Sequence, residues 1–368
     1  MERCSKCILP AGIPGVTLDH SKKCNYCKRF EEHYLSNAKT SAQQMQGRFE
    51  RILDRIRGKG RYDCMVPISG GKDSSYVLYI LVKKYRMNVL AFNHDHGFQS
   101  PQALKNIENA VNKLGVDFVQ YRPRPDIMYE LFRTFLFTAG EFCTACNMLG
   151  EASMYRFAGQ NKIRLVFTGN SRRMSSGIEG ISPAIYYDRK YFFNVVKDKL
   201  TNKQIENFVS PPYFTKAIRR LAGLGPIPIN VFEYIRPTLK EIQHTLITEL
   251  DWHNPGNQIE HGDCLLDPIK NYLMYEKWGC SEITGIYSTL VRNGQITREE
   301  ALQKAAIEEP RDIPPILPEF LKATDMTLNE FNQALRKDFR QIPNLQHSAL
   351  FQFCKNLINK IHEIRGYK

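Results

Sequence analysis

"VPISGGKDSSY", residues 66–76, decides the fold. The apolar run before it, "YDCMVPI" (62–68), is bounded by glycines and reads as a buried strand. The stretch that follows, "SSYVLYILVKKY" (74–85), has the length and apolar face of a helix. Between them the glycines let backbone N–H groups approach a ligand closely, and the helix N-terminus adds the positive end of a dipole. Lys72 adds a full charge, and Ser69, Ser74 and Ser75 add hydroxyls. The pattern reads as a phosphate cradle; the plain alternative is a glycine turn with no ligand. A Walker loop would need a glycine separated by four residues from Gly71-Lys72, where Val66 stands. No G-x-G-x-x-G fingerprint is present.

Working outward, "NVLAFNHDH" (88–96), "VDFVQYRP" (116–123) and "IRLVFTGN" (163–170) read as further strands. "PQALKNIENAVNKLG" (101–115) and "CNMLGEASMYRFAGQN" (146–161) read as helices between them. Alternation of this kind predicts βαβ units and a doubly wound parallel sheet, an α/β fold, ending near residue 200. Residues 31–60 read as a polar helix. "SPPYF" (210–214) and "GLGPIPIN" (223–230) read as proline-rich breaks, and the remainder as helical. Its helices are announced by "TLKE" (238–241), "TREE" (297–300) and "TLNE" (327–330), three capping boxes. The expected organisation is a metal-binding ribbon and linker over 1–40, an α/β domain over 41–205, and a mostly helical substrate or partner region over 206–368.

The 368 residues carry a formal net charge of +13, which points to an anionic partner: nucleic acid, nucleotide or nucleotide-sugar. A solvated basic surface would carry the same charge. No apolar run approaches the roughly 18 residues of a membrane span, and "MERCSKC" lacks the apolar core of a secretion signal. The expectation is a cytoplasmic protein whose ten cysteines are thiols or metal ligands.

Those cysteines sort into two groups. Cys4-x-x-Cys7 and Cys24-x-x-Cys27, sixteen residues apart, have the spacing of a four-thiolate zinc site with a structural role. Cys143-x-x-Cys146 could be a redox pair, a metal pair or unrelated thiols, and Cys264 could add a third ligand; three thiolates would suit a [4Fe–4S] cluster with one open iron. Cys64, Cys280 and Cys354 read as packing residues. His94, Asp95 and His96 stand at a strand end, His261 and Asp263 cluster with Cys264, and Arg172 and Arg173 follow "TGN"; each set could serve a site or an ordinary polar turn.

SGGKDS after a strand resembles the PP-loop of the ATP pyrophosphatases, the adenine nucleotide α-hydrolase-like group of HUP-like fold. These enzymes transfer AMP to a substrate oxygen and release pyrophosphate. The resemblance implies that Ser69, Gly70, Gly71, Lys72, Asp73 and Ser74 hold the phosphates with Mg²⁺, and that Lys72, Asp73 and Ser74 serve catalysis. It puts Phe92, Asn93 and His94 beside the adenosine, with Thr168, Gly169 and Asn170 facing the same crevice. Some PP-loop sulfurtransferases also carry one C-x-x-C and a distant cysteine, as Cys143, Cys146 and Cys264 do.

Together the paired N-terminal C-x-x-C motifs, SGGKDS, "NIENAVNKLGVDF" (106–118), the C-x-x-C near 145 and "GCSEITGIYSTLVRNGQITREEAL" (279–302) look like the N-acetyl sugar amidotransferases of surface-polysaccharide and lipopolysaccharide biosynthesis. "LVFTGNSRRMSSG" departs from the tryptophan-glycine-glutamate pattern of that family. The resemblance implies adenylation of an acetamido oxygen on a nucleotide-sugar and its replacement by ammonia. The chain begins Met-Glu and contains no G-x-C-x-G elbow, so ammonia is expected from a separate glutaminase partner. Two alternatives remain: sulfur transfer to tRNA or a small molecule through the same adenylation, and a zinc-ribbon nucleic-acid-binding protein.

Overall fold

The structure, a computed structural model, describes residues 2–32, 42–170, 188–222, 225–255, 262–344 and 348–364. Arg172, Arg173 and His261 lie outside these residues.

Five strands, β1 (Cys64–Pro67), β2 (Val89–His94), β3 (Asp117–Tyr121), β4 (Leu165–Thr168) and β5 (Ile227–Asn230), form one sheet in the order β3-β2-β1-β4-β5. All pairings are parallel, with Cys64 opposite Val89 and Leu165 opposite Ile227. Alternate side chains serve opposite faces. Val66, Ala91, Phe167 and Ile229 pack under the helices Ala42–Asp54, Lys72–Tyr79, Pro101–Leu114 and Leu239–Leu250. Met65, Leu90, Phe92 and Val166 pack against Met154 and Ala158 of the helix Cys143–Gln160. Strand order reverses between β1 and β4, which opens a crevice at their carboxyl ends.

The sheet does not end near residue 200. Residues 227–230, expected within a proline-rich break, form β5. The two prolines mislead because β5 is an edge strand. Ile227 N–H donates to the Arg164 carbonyl at 2.9 Å, so the alternate residue, Pro228, points its missing donor outward. The helix expected over 31–60 is described only over Ala42–Asp54. The helix after the glycine loop runs as α-helix over Lys72–Tyr79 and continues as one π turn over Ile80–Lys84.

A second, aromatic core holds the helical part together. Phe132 and Phe135 of the helix Pro125–Ala139, unforeseen in the sequence, meet Tyr191, Phe192, Phe320 and Phe331. The three threonine capping boxes form as expected, and a fourth joins Thr201 to Gln204. No described helix is long and apolar enough to cross a membrane.

The N-terminal cysteine segment docks on this helical part rather than on the sheet. Ile8 packs with Ile283, Ile286 and Tyr287. The Arg298 guanidinium donates to the carbonyls of Cys4 and Cys7 at 3.1–3.2 Å.

Candidate nucleotide crevice and thiolate centre

Gly71 is the N-cap of the helix Lys72–Tyr79, so the first-turn amides of that helix face the crevice. Gly70 has φ +83°, and a Cβ there would lie 2.2 Å from the Ala103 carbonyl oxygen; only glycine fits. Its carbonyl turns away from the crevice and accepts from Trp252 Nε1 at 2.9 Å and Asn106 Nδ2 at 3.1 Å. Ser74 Oγ lies 3.2 Å from both the Ser69 hydroxyl and the Ser69 amide, which closes the loop on itself. Ser75 is fully buried and is absent from the crevice wall.

The crevice measures about 580 Å³, within the range of small-molecule sites. Of the residues expected to bind a nucleotide, Ser69, Gly71, Lys72, Asp73, Ser74, Phe92, Asn93, His94, Thr168, Gly169 and Asn170 all line it. Gly70 stands behind it as the loop's hinge. Gly169 touches the loop helix: a Cβ on it would come within 2.9 Å of Asp73. Thr168 Oγ1 donates to Asn230 Oδ1 at 2.9 Å and fastens β4 to β5. Asn93 donates to the Ile68 carbonyl at 2.8 Å, holding the end of β2 to β1.

Lys72 Nζ, buried, lies 2.8 Å from Asp73 Oδ2 of a half-buried side chain. Asp73 Oδ1 is buried with no hydrogen-bond partner among the described residues. A dry carboxylate oxygen, unpartnered among the described residues, beside a helix N-terminus is a hard donor of the kind Mg²⁺ takes.

Of the strand-end cluster, only His94 reaches the crevice. Burial holds it neutral, with its pKa lowered to about 3. Asp95 is tied to Arg122 at 2.7 Å and to the Gly97 amide at 2.8 Å. His96 packs edge-on against Phe132.

His94 Nε2 lies 3.9 Å from Cys146 Sγ. Cys143 opens the helix that carries Cys146 one turn later, and Cys264 pairs in an isolated bridge with Gln99. Burial raises all three thiols, Cys264 to about 12, and Cys143 and Cys146 are raised further by the Cys264 charge. The three therefore share one neighbourhood. Their sulfurs are less tightly gathered than the N-terminal set, which alone among the described residues brings three or more metal-donor atoms all within 4.8 Å of one another.

That set is Cys4, Cys7, Cys24 and Cys27, all buried. Cys4 and Cys27 sulfurs are 3.9 Å apart, Cys7 and Cys24 sulfurs 3.7 Å. Four thiolates at about 2.3 Å from a central ion in tetrahedral geometry stand about 3.8 Å apart, so the set fits a single tetrahedral ion. Hydrogen bonds from Cys24 and Cys27 lower the Cys7 thiol from its ordinary range.

Several crevice residues escaped sequence reading. Glu151 and Tyr155 project from the helix Cys143–Gln160, while Trp252 and Asn254 come from the C-terminal region; Asp263, singled out in the sequence beside Cys264, lines the crevice too. The polar, turn-rich "DWHNPGN" (251–257), with its lone tryptophan, was the available signal.

Residues 251–356 match the family described as LPS biosynthesis protein WbpG-like, C-terminal domain. An uncharacterized protein of Methanocaldococcus jannaschii is 21% identical over 272 residues, covering 73% of this chain and 81% of the relative. The U34-tRNA thiolase NcsA from Methanococcus maripaludis, solved with its [4Fe-4S] cluster, aligns over 86% of this chain and 91% of its own at 13% identity and TM-score 0.36. The NH3-dependent NAD synthetase of Campylobacter jejuni aligns over 57% of this chain and 94% of its own at 12% identity and TM-score 0.30. The crevice is thus closed on one side by Trp252, Asn254 and Asp263, residues within the segment that resembles a lipopolysaccharide-biosynthesis domain.

Proposed function

We propose that this chain is a PP-loop ATP pyrophosphatase that converts an acetamido group on a nucleotide-activated sugar into an acetamidino group during surface-polysaccharide biosynthesis. One observation carries the reading: a glycine-hinged helix N-terminus, a buried lysine and a carboxylate with an unpartnered oxygen converge at the carboxyl ends of β1 and β4. The likeness of residues 251–356 to a lipopolysaccharide-biosynthesis domain supports the sugar setting.

The amide oxygen attacks the α-phosphorus, the α–β bridging bond breaks, and pyrophosphate leaves. Loop amides and Lys72 stabilise the charge that gathers on it. Mg²⁺ held by Asp73 Oδ1 and the triphosphate would supply further charge neutralisation. Ammonia then adds to the imidate carbon and AMP departs with the former amide oxygen, leaving an amidine. Ammonia comes from a separate glutaminase. The N-terminal thiolates hold a structural zinc, since four protein ligands leave no open position.

A second reading rests on Cys143, Cys146 and Cys264. Thiolate-only donors beside a crevice, spread wider than one ion needs, suit an iron–sulfur cluster and sulfide as nucleophile. Nucleotide-linked acetamido sugars and tRNA, each with ATP and either ammonium or sulfide, separate the two. AMP and pyrophosphate appearing only with sugar and ammonium support the first reading. ADP as the product sinks both.

A further inference from the structure

A second cavity of about 270 Å³ lies against the helix Cys143–Gln160. Tyr155 lines both this cavity and the main crevice, so the two meet at one side chain. The cavity wall carries three cations, Arg156, Lys216 and Arg219, against one carboxylate, Glu206. Two of the cations are anchored. Arg156 donates to the Asn207 carbonyl at 2.7 Å. Lys216 binds Glu151, a residue of the main crevice, at 2.9 Å and sits 5.0 Å from the centre of the Tyr155 ring. Arg219 is exposed and makes no hydrogen bond or ion pair with the described residues. An anchored guanidinium beside one with no partner among the described residues suits a polyanion with several oxygens. Val209, Pro211 and Pro226 add apolar wall for a base or sugar ring.

We infer that this cavity takes the diphosphate of a nucleotide-linked acceptor, so that the attached acetamido sugar passes Tyr155 into the main crevice. The delivery of the sugar rests on the adenylation reading; the anion site stands on its own residues. The layout separates two anionic ligands that one basic crevice would confuse: ATP on the glycine loop and the acceptor's diphosphate across the helix Cys143–Gln160. The Glu151–Lys216 ion pair stands between them.

The test uses the full chain saturated with α,β-methylene-ATP, which fills the loop crevice without being cleaved. UDP, UDP-N-acetylglucosamine and inorganic pyrophosphate are then titrated by calorimetry. Both uridine compounds should bind, and pyrophosphate should bind at least tenfold more weakly. Arg219→Glu should weaken UDP about 10²-fold and Arg156→Ala about tenfold, the size expected for charge-assisted hydrogen bonds. Affinity for the ATP analogue should stay within twofold in both. Arg219 is exposed, so that variant should melt with the parent. No UDP binding while the crevice is filled, or UDP binding indifferent to Arg219→Glu, overturns the subsite. Pyrophosphate binding as tightly as UDP overturns the acceptor assignment and marks a product exit instead. A protein that binds UDP as described yet never forms AMP refutes the adenylation reading while leaving the anion site standing.

Discussion

Gly70→Ala is the sharpest test of the loop. At this residue φ is +83°, where an alanine costs about 1 kcal/mol. The larger effect is steric. The new Cβ would lie 2.2 Å from the Ala103 carbonyl oxygen and 2.7 and 2.8 Å from its C and Cα atoms. An ordinary contact is about 3.5 Å, so loop and helix must part by about 1.3 Å. Ala103 sits in the first turn of the helix Pro101–Leu114 on its buried face, which Ile107, Ala110 and Leu114 pack against the sheet core, so the loop must yield. Yielding also pulls the Gly70 carbonyl from Trp252 and Asn106. A displacement of about 1 Å at a reacting centre costs roughly 10²-fold in rate. The assay is AMP release with saturating acceptor and ammonium, beside a thermal melt. The expected result is a drop of at least about 10²-fold in kcat/KM for ATP with a fold that still melts cooperatively. AMP release within twofold of the parent would mean the loop does not hold the phosphates.

Lys72→Ala should lower AMP formation about 10²–10³-fold, as loss of one preorganised donor does, while circular dichroism stays that of the parent; undiminished pyrophosphate release contradicts the assignment. Cys143→Ala should leave AMP formation measurable under the ammonia reading, and loss of AMP transfer itself would give the cysteine an earlier role. Cys4→Ser should cost at least ~3 kcal/mol in denaturant unfolding and release one zinc per chain, because metal binding and folding are coupled there; iron in place of zinc, or unchanged stability, goes against it. Burial lowers the Lys277 pKa to about 8 from an ordinary 10.5. Between those values the unfolded chain binds the extra proton, so Lys277 makes stability rise with pH in that window. Urea titrations of the parent against Lys277→Met should therefore diverge in the parent's favour from pH 8 to 10; parallel curves refute the shift.

Legibility followed the range of the interactions. The glycine loop, Cys4-x-x-Cys7, Cys24-x-x-Cys27 and the threonine capping boxes are local patterns. Their residues act on neighbours within a few positions, so the sequence carries them whole. Gly70 was legible as a glycine, but its reason, contact with Ala103, was not. Prolines hid β5, because nothing local says that the strand lies at an edge with its unbonded side outward. Asp95 and His96 looked like site residues beside His94 until Arg122 and Phe132 claimed them.

The sequence by itself determined the parallel α/β core, the glycine turn from strand to helix and the four-cysteine knuckle, since strand period, helix caps and close ligand spacing are written in adjacent residues. Only the tertiary structure decided that Trp252 locks the loop from 182 positions away, that the cysteine knuckle rests on the C-terminal helices, and that Tyr155 joins two cavities. Those contacts come from burying apolar surface between distant segments. That drive is non-directional, and its partners are fixed by packing rather than by order along the chain.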